Sequence, residues 1–322
     1  VLSRGGAILA IHPGALGDVI LFGHLLYRLK SFLKGQDQEV TLVAGGEKAR
    51  LLAGLGVACR AMDFDALPMH EVFLNPSQPA AQCQLPSLLG RHERLVSCFA
   101  AGNTQAQAAL AEMCGARLAT FLPVRPPADF PGHLVDLWAE RMGLPALVRN
   151  PPPWPVPPEW QQAAAGVLAM AGVDPAGRYV VVHPGAGATA KCWPVERFID
   201  LAGWLGTKSG LVVVSVLGPA ERERWEARRI EALAKASVLL PSMDLPTLAG
   251  VLGGAGGFVG NDSGPAHLAA AVGAATVAVA SPGSGRHFAP LGRNVAAVTG
   301  QTIAEVHPQT VGQTLVGLMG GQ

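Results

Sequence analysis

The sequence predicts an α/β protein of two similar halves, each a parallel sheet with helices on both faces. Three observations carry this expectation. The tetrapeptide His-Pro-Gly-Ala occurs twice, at His12–Ala15 and His183–Ala186, each time after a short apolar run and before a helix-like segment. The runs themselves, Ala7–Ile11 and Tyr179–Val182, are apolar without alternation, as parallel strands covered on both faces should be. Between the copies, Pro151–Pro158 holds six prolines and reads as a semi-rigid extended connector that neither a helix nor a central strand can continue through. Domains of 1–150 and 151–322 follow, expected to face one another across a cleft. Each glycine turn would then lie at the carboxyl end of a first strand, where open α/β sheets bind their ligands.

Taken in order, the first half reads as strand Ala7–Ile11, helix Asp18–Phe32, strand Glu39–Ala44, helix Lys48–Ala53 and a shorter strand near Glu71–Phe73. Strand Arg94–Phe99, an Ala-rich helix Thr104–Cys114, strand Arg117–Phe121 and an amphipathic helix His133–Met142 complete it. After the connector come helix Glu159–Ala171, strand Tyr179–His183, helix Val195–Lys208, strand Leu211–Leu217, helix Glu221–Ala234 and a strand near Val238–Leu240. Helix Leu245–Leu252, strand Gly257–Gly260, helix Pro265–Val272 and strand Ala275–Ala280 finish the second sheet. The tail Pro308–Leu318 is helix-like, and its expected packing partner is the first domain. Strands alternating with helices in this way predict parallel sheets.

Composition narrows the function classes. A hydrophobic share of 49% and a net charge of +1 over 322 residues describe a soluble protein of two cores, without the basic excess of a nucleic-acid binder. The five cysteines, Cys59, Cys83, Cys98, Cys114 and Cys192, are odd in number and lack C-x-x-C spacing, which argues against a disulfide framework or a zinc site and for reduced thiols in a cytoplasm. The N-terminus lacks a secretory pattern, and the most apolar tract, Leu268–Ala280, is too short for a bilayer core of about 30 Å.

Three segments carry candidate chemistry. Gly14-Ala-Leu-Gly17-Asp18 joins a strand to a helix, where glycines allow close backbone approach and free helix N–H groups favour an anion. Its G-x-x-G spacing, with a second strand ending Ala44-Gly45-Gly46, lacks the dinucleotide fingerprint and its acidic residue. Asp18 suits two roles, an N-cap for its helix or a general base. In the second half, His183-Pro-Gly-Ala-Gly-Ala-Thr-Ala-Lys191-Cys-Trp-Pro194 places a hydroxyl and an ammonium in a glycine-rich loop, which suits a diphosphate, although Lys191 also reads as a solvated surface lysine. Gly260-Asn-Asp262-Ser-Gly-Pro-Ala-His267 follows an apolar strand and opens a helix. Capping explains Asp262, Ser263 and Gly264, and His267 reads either as a ligand contact or as a hydrogen-bonded core histidine.

Together these segments resemble the lipopolysaccharide heptosyltransferase family. The likeness runs over Gly14–Leu21 (GALGDVIL), His133–Leu144 (HLVDLWAERMGL), His183–Phe198 (HPGAGATAKCWPVERF) and Gly260–Ala271 (GNDSGPAHLAAA). It implies two Rossmann-like domains in the GT-B glycosyltransferase architecture, the acceptor on the first and the nucleotide-sugar donor on the second. It also implies an inverting transfer of a heptose-like sugar from ADP, with Asp18 as base, Lys191 opposing charge on the leaving diphosphate, and no metal or further cofactor. Thr189, Lys191, Asp262, Ser263, Gly264 and His267 match the family's phosphate- and sugar-binding positions, Glu221 its ribose contact and Met243 its adenine neighbour. The implied acceptor is a lipid-linked or oligosaccharide inner core, met by a cytoplasmic monomer with at most peripheral contact with the inner membrane. Arg91, His92, Arg94 and Arg60 are the basic residues available to an acidic acceptor, or else solvated surface charge. Where relatives carry Gly-Pro-Thr-Asp this chain has Ser281-Pro-Gly-Ser-Gly-Arg-His287, which leaves the donor sugar open. Another glycosyltransferase or an epimerase of the same fold, or a non-catalytic nucleotide-sugar binder, are the alternatives.

Overall fold

Buried apolar strands that pair only in parallel set the architecture of the computed structural model, which describes residues 7–33, 38–74, 83–145, 150–188 and 191–320. The chain forms two compact units, Val1–Leu147 and Val148–Gln322. In the first, β1 (Ile8–Ile11), α1 (Leu16–Phe32), β2 (Val40–Ala44), α2 (Lys48–Gly54) and β3 (Arg60–Asp63) lead through short 3-10 turns to α3 (Leu85–Leu89). Strand β4 (Arg94–Ser97), helix α4 (Thr104–Met113), β5 (Leu118–Phe121) and α5 (Leu134–Arg141) complete it. The sheet order is β3-β2-β1-β4-β5, and β1 and β2 are buried throughout, which is why their sequences do not alternate. Leu9, Ile11, Val43, Leu95 and Leu110 form a core on one face.

The second unit opens with the proline segment, which is extended and anchored: Trp154 is buried and its N–H donates to Ala271 O at 2.8 Å. Helix α6 (Pro158–Met170), β6 (Tyr179–His183), α7 (Val195–Ser209), β7 (Val212–Ser215), α8 (Pro219–Arg224), α9 (Ala227–Ala236) and β8 (Val238–Leu239) follow. Then come α10 (Leu245–Gly254), β9 (Gly257–Asn261), α11 (Gly264–Val272), β10 (Ala275–Val279), α12 (Pro282–His287), β11 (Val295–Val298) and α13 (Pro308–Gly320). The order is β11-β10-β9-β6-β7-β8. Helix α13 packs on α7, β9 and β10, with Val311, Leu315 and Met319 joining Trp193, Phe198 and Val182 in one core. Among the described residues no helix is long and apolar enough to cross a membrane.

Four expectations need correction. The strand near Glu71–Phe73 is a 3-10 turn, Met69–Phe73. Glu71 is buried there because its carboxylate accepts from the N–H groups of Gln84 at 3.1 Å and Leu85 at 2.8 Å, capping α3. The third strand lies instead at Arg60–Asp63. The helix expected over Glu221–Ala234 is two helices, broken where Trp225 is extended. The second sheet continues past β10 to β11, a half-exposed edge strand whose four residues, VAAV, lack a strong apolar signal.

Candidate active site

In each sheet the sequence of strands reverses direction beside the first strand, between β1 and β4 in one and between β6 and β9 in the other. Connections leave such a switch point toward opposite faces, so a crevice opens at the strands' carboxyl ends. The candidate segments fall at these two places.

In the second unit, Asp262 directly follows β9 and is buried. Its carboxylate lies 3.8 Å from Lys191 Nζ, whose side chain is half exposed, and 3.6 Å from Nε2 of buried His267, one turn into α11. Lys191, Asp262 and His267 thus form one cluster at the carboxyl ends of β6 and β9. Ser263 is the N-cap of α11, yet its hydroxyl makes no capping bond. Ser263 Oγ and His267 Nδ1 are both buried without a hydrogen-bond partner among the described residues. Gly264 opens the helix, whose first-turn amides carry partial positive charge. Thr189 lies outside the described residues.

Glu221 sits across β6 from this cluster, at the start of α8 after β7, and Oε2 accepts from Gly218 N–H at 2.9 Å. It is buried against Gly185, where a Cβ would fall 2.2 Å from the carboxyl carbon, so a larger residue here would displace the Glu221 carboxylate. Glu221 lines a cavity of about 400 Å³ together with Pro184, Cys192, Glu196, Arg224 and Trp225. Met243 is partly buried in the connection from β8 to α10, just before Asp244, which caps α10 through Thr247 N–H at 2.9 Å. It does not line that cavity.

The first unit places Asp18 at the third position of α1, half-buried. The N-cap is Ala15, not Asp18. The carboxylate reaches back to accept from Ala15 N–H at 3.3 Å, a long contact that leaves acceptor capacity for a further donor. His12, Lys48 and Cys98 complete the surroundings; His12 opens the repeated tetrapeptide, but the sequence assigned none of the three a role at this site. His12 is buried against Phe22 and Trp138, and its Nδ1 accepts from Gly14 N–H at 3.0 Å. The ring proton therefore sits on Nε2. Lys48 Nζ donates to Gly14 O at 2.9 Å, so the glycine turn is held from both sides. Burial, aided by the Lys48 charge and opposed by Asp18, lowers the pKa of His12 to about 4. Burial also pushes the Cys98 thiol well up, with the Asp18 carboxylate adding to the effect.

The basic residues considered for an acceptor lie elsewhere. Arg94 and Arg60 begin β4 and β3, at the amino edge of the sheet, and His92 precedes β4. His92 and Arg94 are buried rather than solvated, with His92 Nε2 within 2.9 Å of Leu89 O. Among the described residues no group of three or more His, Cys, Asp or Glu side chains could hold a metal ion.

Comparisons with known proteins converge on one family. The sequence model of glycosyltransferase family 9 (heptosyltransferase) matches residues 151–315, the second unit. Lipopolysaccharide heptosyltransferase 1 of Pseudomonas aeruginosa is 34% identical over 113 residues, a stretch covering 35% of this chain and 31% of that protein. The glycosyl transferase family 9 structure from Veillonella parvula DSM 2008 superposes with a TM-score of 0.78 at 15% identity, covering 100% of this chain and 99% of the other. The E. coli ADP-heptose LPS heptosyltransferase II structure does so at 0.71 and 17%, covering 98% and 99%. At these identities the structural likeness is one of fold, the GT-B heptosyltransferase fold of two parallel-sheet α/β units. The family match, spanning half of the chain, decides the relationship: the chain belongs to glycosyltransferase family 9, the heptosyltransferases.

Proposed function

We propose that this chain is an inverting, metal-independent glycosyltransferase that moves a heptose-like sugar from ADP-heptose to an inner-core acceptor of lipopolysaccharide. The observation that carries the reading is the Lys191–Asp262–His267 cluster at the switch point of the second sheet. A half-exposed ammonium tethered to a buried carboxylate can turn toward a diphosphate, and the unpartnered Ser263 hydroxyl and His267 Nδ1 would be satisfied by phosphoryl or sugar oxygens. Family membership and the ADP-heptose named for the E. coli relative support the donor class.

In the proposed reaction Asp18 removes the proton of an acceptor hydroxyl as its oxygen bonds to the anomeric carbon. The bond from that carbon to the β-phosphate oxygen breaks, and ADP departs. One displacement inverts the configuration. Lys191 opposes the charge that grows on the leaving diphosphate, Glu221 holds the ribose and Met243 flanks the adenine, with Thr189 contributing to the phosphate site. Residues 1–150 would serve the acceptor and 151–322 the donor. The same reading has the protein act as a cytoplasmic monomer with at most peripheral contact with the inner membrane.

A thermal-shift panel of ADP, UDP, GDP and CMP with their sugars tests this. A ligand that binds only the native state stabilises it by about 2.7 kcal/mol at a hundredfold excess over Kd. ADP and ADP-heptose should raise Tm most. A larger shift with UDP and its sugars would overturn the donor assignment and favour another nucleotide-sugar transferase of the same fold.

A further inference from the structure

We infer that Asn261 is a positioning residue for the donor, its side-chain amide clamping the ends of the segment that carries Lys191; the inference rests on the proposed donor site. Asn261 ends β9 and is fully buried. Its Oδ1 accepts from Trp193 N–H at 2.8 Å, while Nδ2 donates to Pro184 O at 2.8 Å and Gly185 O at 3.1 Å. One side chain thereby ties the residues entering the segment after β6 to the residue two positions beyond Lys191.

Both ends also have anchors outside that turn, while within it Lys191 N–H donates to Ala188 O at 3.0 Å. Trp193 is buried, and its indole Nε1 donates to Val306 O at 3.1 Å. On the other side Gly185 packs on the Glu221 carboxylate. Asn261 connects these two anchors and, through the next residue, Asp262, meets Lys191 again at 3.8 Å. A planar amide is suited to this because it offers an acceptor and two donors in one plane. Aspartate would lose both donors and leucine every bond. Without the clamp, the conformational entropy of the Lys191 segment would have to be lost when the diphosphate binds, and affinity falls accordingly.

The test measures the ADP Kd by calorimetry for the parent, Asn261→Ala, Asn261→Ser and Tyr179→Phe, at a temperature where circular dichroism shows each chain folded. Tyr179 donates to Val251 O at 2.7 Å from the amino end of β6, the end away from the segment, so its loss lowers stability without touching the segment. Asn261→Ala should weaken ADP binding about tenfold, Asn261→Ser by an intermediate factor because one hydroxyl serves one of three bonds, and Tyr179→Phe should bind like the parent despite a lower Tm. The clamp is overturned if Asn261→Ala, or Asn261→Ser where the alanine variant does not fold, binds ADP within about twofold of the parent. It is also overturned if Tyr179→Phe weakens binding as much as the Asn261 variants, since stability alone would then explain the loss. If the folded parent shows no affinity for ADP, the proposed donor site and the clamp fall together.

Discussion

The two histidines of the repeated tetrapeptide face opposite hydrogen-bonding demands. His12 Nδ1 accepts from Gly14 N–H, whereas His183 Nδ1 lies 2.9 Å from Val216 O and must donate. The same residue type is thus held in two different tautomers by what surrounds it. Burial lowers the pKa of both. For His12 the fall from 6.5 to about 4 means that the unfolded chain binds a proton the folded chain refuses between those values. Its contribution is complete above pH 6.5 and is lost as pH drops toward 4. The difference corresponds to a loss on the order of 3 kcal/mol. Urea unfolding of the parent and His12→Gln at pH 7 and pH 4.5 should show the parent losing more stability by that order. Equal losses would mean that His12 titrates normally in the fold. The repeat itself was visible in the sequence, but the tautomers were not, because they depend on carbonyls and amides brought by neighbouring turns.

At the scale of elements, glycines inside helices look alike in sequence and act differently in the fold. Gly250 in α10 lies against α6, where a Cβ would come within 2.2 Å of the Trp160 carbonyl oxygen and 2.8 Å of Ala164 Cβ. A Cβ at Gly203 in α7 would meet nothing within 4 Å. Alanine at Gly203 should therefore stabilise by about 0.8 kcal/mol through helix propensity. At Gly250 that gain is outweighed by the clash with backbone, for a net loss of about 2 kcal/mol. Denaturant midpoints of the two variants should move in opposite directions, and a stabilised Gly250→Ala would show that α10 and α6 can separate without cost. Periodicity revealed most helices to within a few residues. It missed α3, whose five residues depend on the Glu71 cap from a distant turn, and it ran α8 and α9 together because Trp225 continues the amphipathic pattern through the break.

For the whole molecule the central expectation is a division of labour between units. Asp18 belongs to the first unit and Lys191, Asp262 and His267 to the second. Asp18→Ala should reduce transfer by about a hundredfold to ten-thousandfold while the ADP Kd stays within about twofold of the parent. Product formation and calorimetry on the same preparation check both halves. A large loss of ADP affinity would instead make Asp18 a donor contact or a helix-terminus support, consistent with its bond to Ala15.

By itself the sequence determined two parallel-sheet α/β units and the strand-to-helix turns of the motif segments, because buried parallel strands need uninterrupted apolar runs and close backbone turns favour glycine. It also carried the family, since the residues after each His-Pro-Gly-Ala are distinctive. Only the tertiary structure decided what those residues touch. Asn261 stands beside Asp262 in the chain, yet it shows its use only when β9 lies next to β6 and brings Pro184, Gly185 and Trp193 to its amide. Lys48 approaches Gly14 only because β2 pairs with β1. Local patterns record which segments become strands and turns, whereas partners far apart in the chain are chosen by strand order, and strand order is a property of the folded sheet.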